Sequence, residues 1–304
     1  MSRTICEWAK IGGRWTRYSV TETLDNPKGE VLFVIPGNPG NDLFYTRFCE
    51  YLLVKSDKIS RIFTIAHLNH IPLPAGLKRL DPVQEKERYK LSQQVDHSYD
   101  FFGQIIAEQL SGKKVTVIGH SIGAYIGTVL KGRLERDGYK VNLIGLFPTL
   151  VDMASTPAGH KMGRLISFVS GHPKLVRFAT WIFKWFPIEV SRFLVRPWVR
   201  GAPEEVVQAA AELLDSSVIT NVGYMADDEL TNINELNPKL EAELSKGNVH
   251  LYYGTTDPWV PLIYAHEMSK IIGADRVIID DTGAEHAFVV RQSEVIASKV
   301  EVLI

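Results

Sequence analysis

The stretch Val115-Thr116-Val117-Ile118-Gly119-His120-Ser121-Ile122-Gly123-Ala124-Tyr125-Ile126-Gly127-Thr128-Val129-Leu130 decides the fold. Its first four residues are apolar or β-branched and fit a buried strand, and its last seven fit a helix. Between them, Gly119-His120-Ser121-Ile122-Gly123 matches the Gly-x-Ser-x-Gly turn, in which a sharp strand-to-helix reversal lifts a serine hydroxyl above a sheet. Glycine is needed two residues either side of the serine because a Cβ there would meet the crowded backbone of the turn. The pentapeptide alone is a weak motif; the strand before it and the helix after it supply the required context. Ser121 is therefore the candidate nucleophile. Dehalogenase and epoxide hydrolase chemistry would need an aspartate at this position and are ruled out.

Outward from this turn the chain alternates between two patterns. Val31-Leu32-Phe33-Val34-Ile35 is a continuous apolar run closed by Pro36-Gly37, as expected of a strand buried on both faces of a parallel sheet. Similar runs fall at residues 62–66, 143–147, 249–253 and 277–279, with helical patterns between most of them, for example at 44–53 and 91–110. The residues before Lys10 and those at 18–23 read as short antiparallel strands around Gly12-Gly13. Such alternation implies an α/β fold, a mostly parallel central sheet with helices on both faces. It breaks once, from Pro148 to about Tyr224, where no strand pattern occurs over a length too great for a loop. The expected organisation is a core of residues 1–147 and 225–304, with a helical cap inserted at 148–224.

A serine at its free pKa is a poor nucleophile and needs a base, which a carboxylate must orient. In this architecture both follow the serine in chain order. Asp257 lies just past the 249–253 run, in the turn Gly254-Thr255-Thr256-Asp257-Pro258-Trp259, and His286 lies past the last strand in Gly283-Ala284-Glu285-His286-Ala287-Phe288. Asp152, which also follows a strand pattern, is the alternative acid. Of the other histidines, His120 adjoins the serine but is aimed elsewhere by the turn; His67, His70, His97, His160, His172 and His266 have no comparable placement. Two backbone N–H groups are expected to face the oxyanion of a tetrahedral intermediate, those of Ile122 and Asn38. Asn38 is chosen because Pro39, its neighbour in Pro36-Gly37-Asn38-Pro39-Gly40, has no N–H.

Composition sets the outer limits. With 45% hydrophobic and 23% charged residues among 304, the chain can bury a sizeable core and is neither disordered nor fibrous. Its net charge of -1 gives no whole-molecule attraction to nucleic acid, and no groove-reading module occurs. Cys6 and Cys49 are too few for a disulfide framework or a metal knuckle, which suits a reducing compartment. The first residues lack the apolar run of a signal peptide, and no stretch reaches the roughly 18 to 20 apolar residues of a membrane span. No metal-ligand pattern, phosphate-binding loop or cofactor fingerprint is present, so no cofactor is expected.

The sequence resembles the lipid droplet-associated hydrolase family of the α/β-hydrolase superfamily. The likeness rests on Ile35-Pro36-Gly37-Asn38-Pro39-Gly40 with Phe44-Tyr45, on Gln94-Val95-Asp96-His97, on residues 118–125, on Leu146-Phe147-Pro148-Thr149, on Tyr252-Tyr253-Gly254-Thr255 with Asp257-Pro258-Trp259, and on His286-Ala287-Phe288. These run in family order over nearly the whole chain. The resemblance implies an α/β-hydrolase fold and a serine hydrolase with Ser121, Asp257 and His286 as its triad. It also implies location at the cytosolic side of lipid droplets and the endoplasmic reticulum, and neutral-lipid or sterol esters as substrates. Residues 161–243 match the family only in helical, apolar character.

That segment has its own signature. Residues 160–200 hold eight Lys or Arg and one Glu, a local charge of +7, together with Trp181, Trp185 and Trp198, half the tryptophans of the chain. Leu175, Phe178, Ile182 and Trp185 recur at helical spacing, and Phe178, Trp181, Ile182, Trp185 and Phe186 are the candidate lipid-surface residues. The same stripe also suits a lid helix packed on the core. Residues 202–245 carry ten acids and one base, a local -9 expected to form a solvated face or a partner to the basic stretch. The function expected is a metal-free serine hydrolase of lipid esters working through an acyl-enzyme at Ser121. The alternative is a lipid-droplet surface protein on a hydrolase scaffold with little turnover.

Overall fold

The computed structural model describes residues 2–23, 29–80 and 83–304. Strands β1 (Ser2–Ile11) and β2 (Arg14–Thr23) form a hairpin, followed by β3 (Glu30–Ile35), α1 (Thr46–Lys55), β4 (Ile59–Ile65), α2 (Ala75–Leu80) and α3 (Leu91–Phe101). Then come β5 (Lys114–His120), α4 (Ile122–Arg136) and β6 (Lys140–Leu146). Five helices follow without an intervening strand: α5 (Pro157–Gly171), α6 (Pro173–Thr180), α7 (Ile188–Val195), α8 (Glu204–Glu212) and α9 (Ser216–Asn232). The chain closes with α10 (Pro238–Ser245), β7 (Val249–Tyr253), α11 (Leu262–Ile272), β8 (Val277–Ile279) and α12 (Ser293–Glu301). The helix containing position 224 thus continues to Asn232.

The strands make one eight-stranded sheet in the order β1-β2-β4-β3-β5-β6-β7-β8. Its β1/β2 and β2/β4 pairs are antiparallel, and all the others are parallel. The apolar runs form central strands because both faces are covered. In β3, Val31, Phe33 and Ile35 pack in a core that includes Ile126 and Leu130 of α4, while Leu32 and Val34 pack on the other face with Phe48 and Leu52 of α1.

The hairpin is longer than the apolar pattern suggests. Gly12 and Gly13 adopt φ of +53° and +83°, the positive values at both central positions that let a two-residue turn match strand twist. The pairing runs from Ile11↔Arg14 to Ser2↔Thr23. In β2, Thr16, Arg17, Ser19 and Thr21 are polar yet buried, so the hydrophobic period that normally marks a strand is lost. Arg17 explains part of this. Its Nε donates to Asp42 Oδ1 at 2.8 Å and its two NH₂ groups to Glu212 at 2.9 and 3.0 Å, with Asn41 Oδ1 at 2.9 Å. This network joins the sheet to α8, and the two acids hold the guanidinium firmly in its charged form against the cost of burial.

Four buried histidines stand near the C-terminal end of the central strands. Burial lowers His67 to about 4 and His97 and His120 to about 3, and puts His70 well below the ordinary 6.5. Unfolded histidines take up protons as the pH falls through 6.5 while these stay neutral, so stability is full above that pH and drains below it. Glu229, pushed up to about 8 mainly by burial, works in the opposite sense between about 4.5 and 8, offsetting one of the four below 6.5 and removing stability as the pH rises from there towards 8. The net loss expected between pH 7 and pH 5.5 is roughly 3 kcal/mol at 298 K. Urea unfolding at pH 7 and pH 5.5 measures it, and an unchanged midpoint would refute it.

Candidate active site

Ser121 follows β5 with φ +55° and ψ -122°, a conformation a non-glycine residue rarely holds. Three backbone bonds fix it there: Ser121 N–H to Leu146 O at 2.8 Å, and Ala124 N–H and Thr149 N–H to Ser121 O at 3.0 and 3.2 Å. A Cβ on Gly119 would lie 2.3 Å from Gly123 O, and one on Gly123 would lie 2.2 Å from Ile35 O. Both glycines are thus sites of close backbone crossing.

The turn after β7 brings Asp257 to the same end of the sheet. Its Oδ1 accepts the N–H groups of Trp259 and Val260 at 2.8 and 3.1 Å, which fixes the carboxylate. Its Oδ2 lies 2.6 Å from His286 Nδ1, and His286 Nε2 lies 2.9 Å from Ser121 Oγ. A carboxylate only accepts, so Nδ1 carries the proton and the Nε2 lone pair faces the serine hydroxyl. Asp152 takes a left-handed conformation (φ +38°) at the start of a short turn, and its side chain stands outside this chain of bonds.

The loop after β3 passes directly over the serine. A Cβ on Gly37 would lie 3.1 Å from Ser121 Cβ, and one on Gly40 would lie 2.1 Å from the His67 ring. Asn38 adjoins Ser121 in the wall of a cavity of about 200 Å³, whose apolar lining includes Phe44, Trp259 and Val289. Ile122 opens α4, so its N–H is among the donors that a helix leaves without an intrahelical partner.

His120 and Tyr45 were not singled out as site residues in the sequence. His120 Nε2 lies 2.8 Å from the His286 carbonyl oxygen, which can only accept, so Nε2 carries the proton and Nδ1 accepts from Tyr45 OH at 2.6 Å. Tyr45 OH in turn accepts the Gly37 N–H at 2.9 Å. One neutral chain therefore ties the loop after β3, the nucleophile strand and the backbone of the histidine loop together. The one clue in the sequence was Tyr45 itself, placed soon after Pro36-Gly37-Asn38-Pro39-Gly40.

A family model described as lipid-droplet associated hydrolase matches residues 28–289. The chain belongs to the lipid droplet-associated hydrolase family. Curated members include the chicken protein (Gallus gallus), 27% identical over 95% of this chain and 88% of its own length, and the Drosophila melanogaster protein, 28% identical over 94% and 90%. Solved structures add the fold. A bacterial membrane phospholipase A superposes with a TM-score of 0.64 at 16% identity, covering 99% of this chain and 85% of that one. The thioesterase domain from the curacin biosynthetic pathway gives 0.62 at 13% identity, covering 98% and 99%. A haloalkane dehalogenase from Agrobacterium tumefaciens C58 gives 0.65 at 15%, covering 98% and 96%. The protein is a hydrolase of this family with an α/β-hydrolase fold.

None of the candidate lipid-surface residues lines the cavity beside Ser121. The helical spacing of Leu175, Phe178, Ile182 and Trp185 does not run on as one α-helix: α6 ends at Thr180 and a tighter turn covers Trp181–Trp185. Phe186 is extended, as a residue before proline must be. Phe178, Trp181, Ile182 and Trp185 are all more than half exposed, and Phe186 is 38% exposed. No helix among the described residues is long and apolar enough to cross a membrane. The glycine contacts of the turn give a direct check. Gly123→Ala, whose methyl has backbone as its obstacle, is expected to cost about 3 kcal/mol or more, read as a lower midpoint of chemical unfolding; a neutral effect would contradict the geometry.

Proposed function

We propose that this protein is a serine ester hydrolase acting on lipid acyl esters at a lipid-droplet or endoplasmic reticulum surface facing the cytosol. The observation that carries the reading is the unbroken run Asp257–His286–Ser121 at 2.6 and 2.9 Å. His286 Nε2 takes the Ser121 proton as Oγ attacks the ester carbonyl carbon. The oxyanion that forms is met by the N–H groups of Ile122 and Asn38, each worth about 3 to 4 kcal/mol by analogy with known oxyanion donors. His286 then gives the proton to the leaving alcohol, and an acyl-enzyme remains. Water, deprotonated by His286, attacks the acyl carbon and releases the carboxylic acid with Ser121 restored. Asp257 stays ionised throughout, holding the imidazole tautomer and stabilising its charged form.

The helices over 148–224 are read as a cap on this site whose aromatic, basic side meets lipid. Large apolar side chains exposed together in one segment, as Phe178, Trp181, Ile182 and Trp185 are, support an interaction surface. Arg192 and Arg196 pair with Glu204, whereas Lys161, Arg164 and Lys174 have no carboxylate against them among the described residues. The roughly 200 Å³ cavity beside Ser121 is lined by none of the described residues of 148–224 and is smaller than the ~300 to 1,000 Å³ of typical ligand pockets, so short acyl chains fit it as it stands and longer ones extend beyond its lining.

Labelling with a fluorophosphonate probe tests the chemistry. The wild-type protein is expected to form an adduct that Ser121→Ala abolishes. Asp257→Asn should slow ester turnover about 10⁴-fold by favouring the wrong tautomer, and Asp152→Asn should leave it within about twofold. An unlabelled wild-type protein would instead favour a droplet surface protein with little turnover. For the surface, burying one exposed aromatic ring is worth about 1.5 to 3 kcal/mol. Phe178→Ser and Trp185→Ser are each expected to weaken partitioning to triolein droplets coated with phosphatidylcholine by about tenfold or more, with unchanged unfolding midpoints. Undiminished droplet flotation of the double variant would remove this face from the proposal.

A further inference from the structure

The proposed mechanism needs the Asn38 N–H to stay aimed at the reacting oxygen, and one side chain of the helical segment bears on that loop. Glu229 of α9 is 2% exposed. Among the described residues its carboxyl faces no cation: burial raises its pKa, the hydrogen bond from Asn38 opposes the rise, and Asp228 adds to it. An unpaired acid at a buried helix position costs more than an apolar side chain of the same size, so helix packing alone gives no reason for it. Its side chain is bonded to Asn38. Asn38 Nδ2 donates to Glu229 Oε1 at 2.9 Å and to the Val222 carbonyl at 3.1 Å.

One helix therefore binds both hydrogens of the Asn38 amide. The two acceptors dictate which way the amide faces, and Asn38 Oδ1 is left buried without a partner. On the other side of the peptide, the Gly37 N–H is held by Tyr45 OH at 2.9 Å. The Gly37–Asn38 peptide, which carries the donor N–H, is thus fixed from both ends. The helix itself has little room to shift: a Cβ on Gly223 would lie 2.4 Å from Val169 Cγ1 of α5.

We infer that Glu229 is a positioning residue for the oxyanion, holding Asn38 by its side-chain amide so that the Asn38 backbone N–H faces the carbonyl oxygen of an ester bound at Ser121. The inference rests on the proposed serine hydrolase reading. Burial favours the neutral acid, and a neutral carboxyl still accepts through its carbonyl oxygen as a glutamine does.

The test is the rate of fluorophosphonate labelling, resolved into a maximal rate and a half-saturating probe concentration. Glu229→Leu fills the space without an acceptor and is expected to lower the maximal rate about 10- to 100-fold, part of the loss seen on deleting an oxyanion donor, with half-saturation within about threefold of wild type. Glu229→Gln should restore the rate to within about threefold, which a role in packing alone would not require. Asn38→Ala should slow labelling similarly, and the double variant Asn38→Ala/Glu229→Leu should be no slower than the slower single one, because both act through one bond. Wild-type rates in Glu229→Leu, or losses that multiply, would overturn the inference while leaving the hydrolase reading in place. If Glu229→Leu does not fold, Asn38→Ala decides alone, and a wild-type rate there overturns it. If the wild-type protein is not labelled at Ser121, the hydrolase reading fails and this inference fails with it.

Discussion

The site depends on one backbone reversal at Ser121. Holding a serine at φ +55° costs on the order of 1 to 3 kcal/mol, and surroundings that cannot relax must sustain it. Here they are β6, which accepts the Ser121 N–H, and β3, whose Ile35 carbonyl leaves no space for a side chain at position 123. Phe147, at the end of the neighbouring strand, also has a positive φ of +48° and donates its N–H to Tyr252 O. Strain is therefore concentrated where β5 and β6 end together. The strands behind it are buried on both faces and absorb the cost, which is why long apolar runs and a polar, strained rim occur in one sheet.

Much of this architecture is written in the sequence where one local rule dominates. Residues 249–253 and 277–279 form strands with the bounds their apolar runs suggest, and the order of Ser121, Asp257 and His286 follows from turns placed just past strands. Legibility fails where the partner is distant. In β2 the buried Arg17 answers to Asp42 and to Glu212, 195 positions away, and Thr16 to His97, 81 positions away, and nothing local marks them. The helical pattern over 91–110 becomes three consecutive pitches, because the helix widens at Phe102–Ile106 and tightens at Ala107–Gln109. Glu229 and Asn38 meet across 191 positions, and Tyr45 and His120 across 75. By contrast, the break before Pro187 is a local signal that helical periodicity obscures.

The opposed charge blocks at 160–200 and 202–245 suggest mutual neutralisation, and the structure sends most of the acids elsewhere. Glu204 does reach Arg192 and Arg196. Glu212 turns inward to Arg17, Asp228 accepts the Leu91 N–H and lies 3.8 Å from Lys90, and Glu229 binds Asn38. Acids of the second block thus organise the join between the helical segment and the sheet. The basic residues of the first block keep an outward field that the net charge of -1 conceals.

The hairpin at one end of the sheet and β8 at the other have a shared consequence for copies of the protein crowded together. An exposed strand edge offers unpaired backbone groups to any neighbour, and crowding multiplies such encounters. At one edge β1 carries Arg3, Glu7 and Lys10 along its length, and at the other β8 is only three residues long. Arg3 is further committed to Glu22 on the adjacent strand. Charge along one edge and brevity at the other both oppose the edge-to-edge addition of another chain.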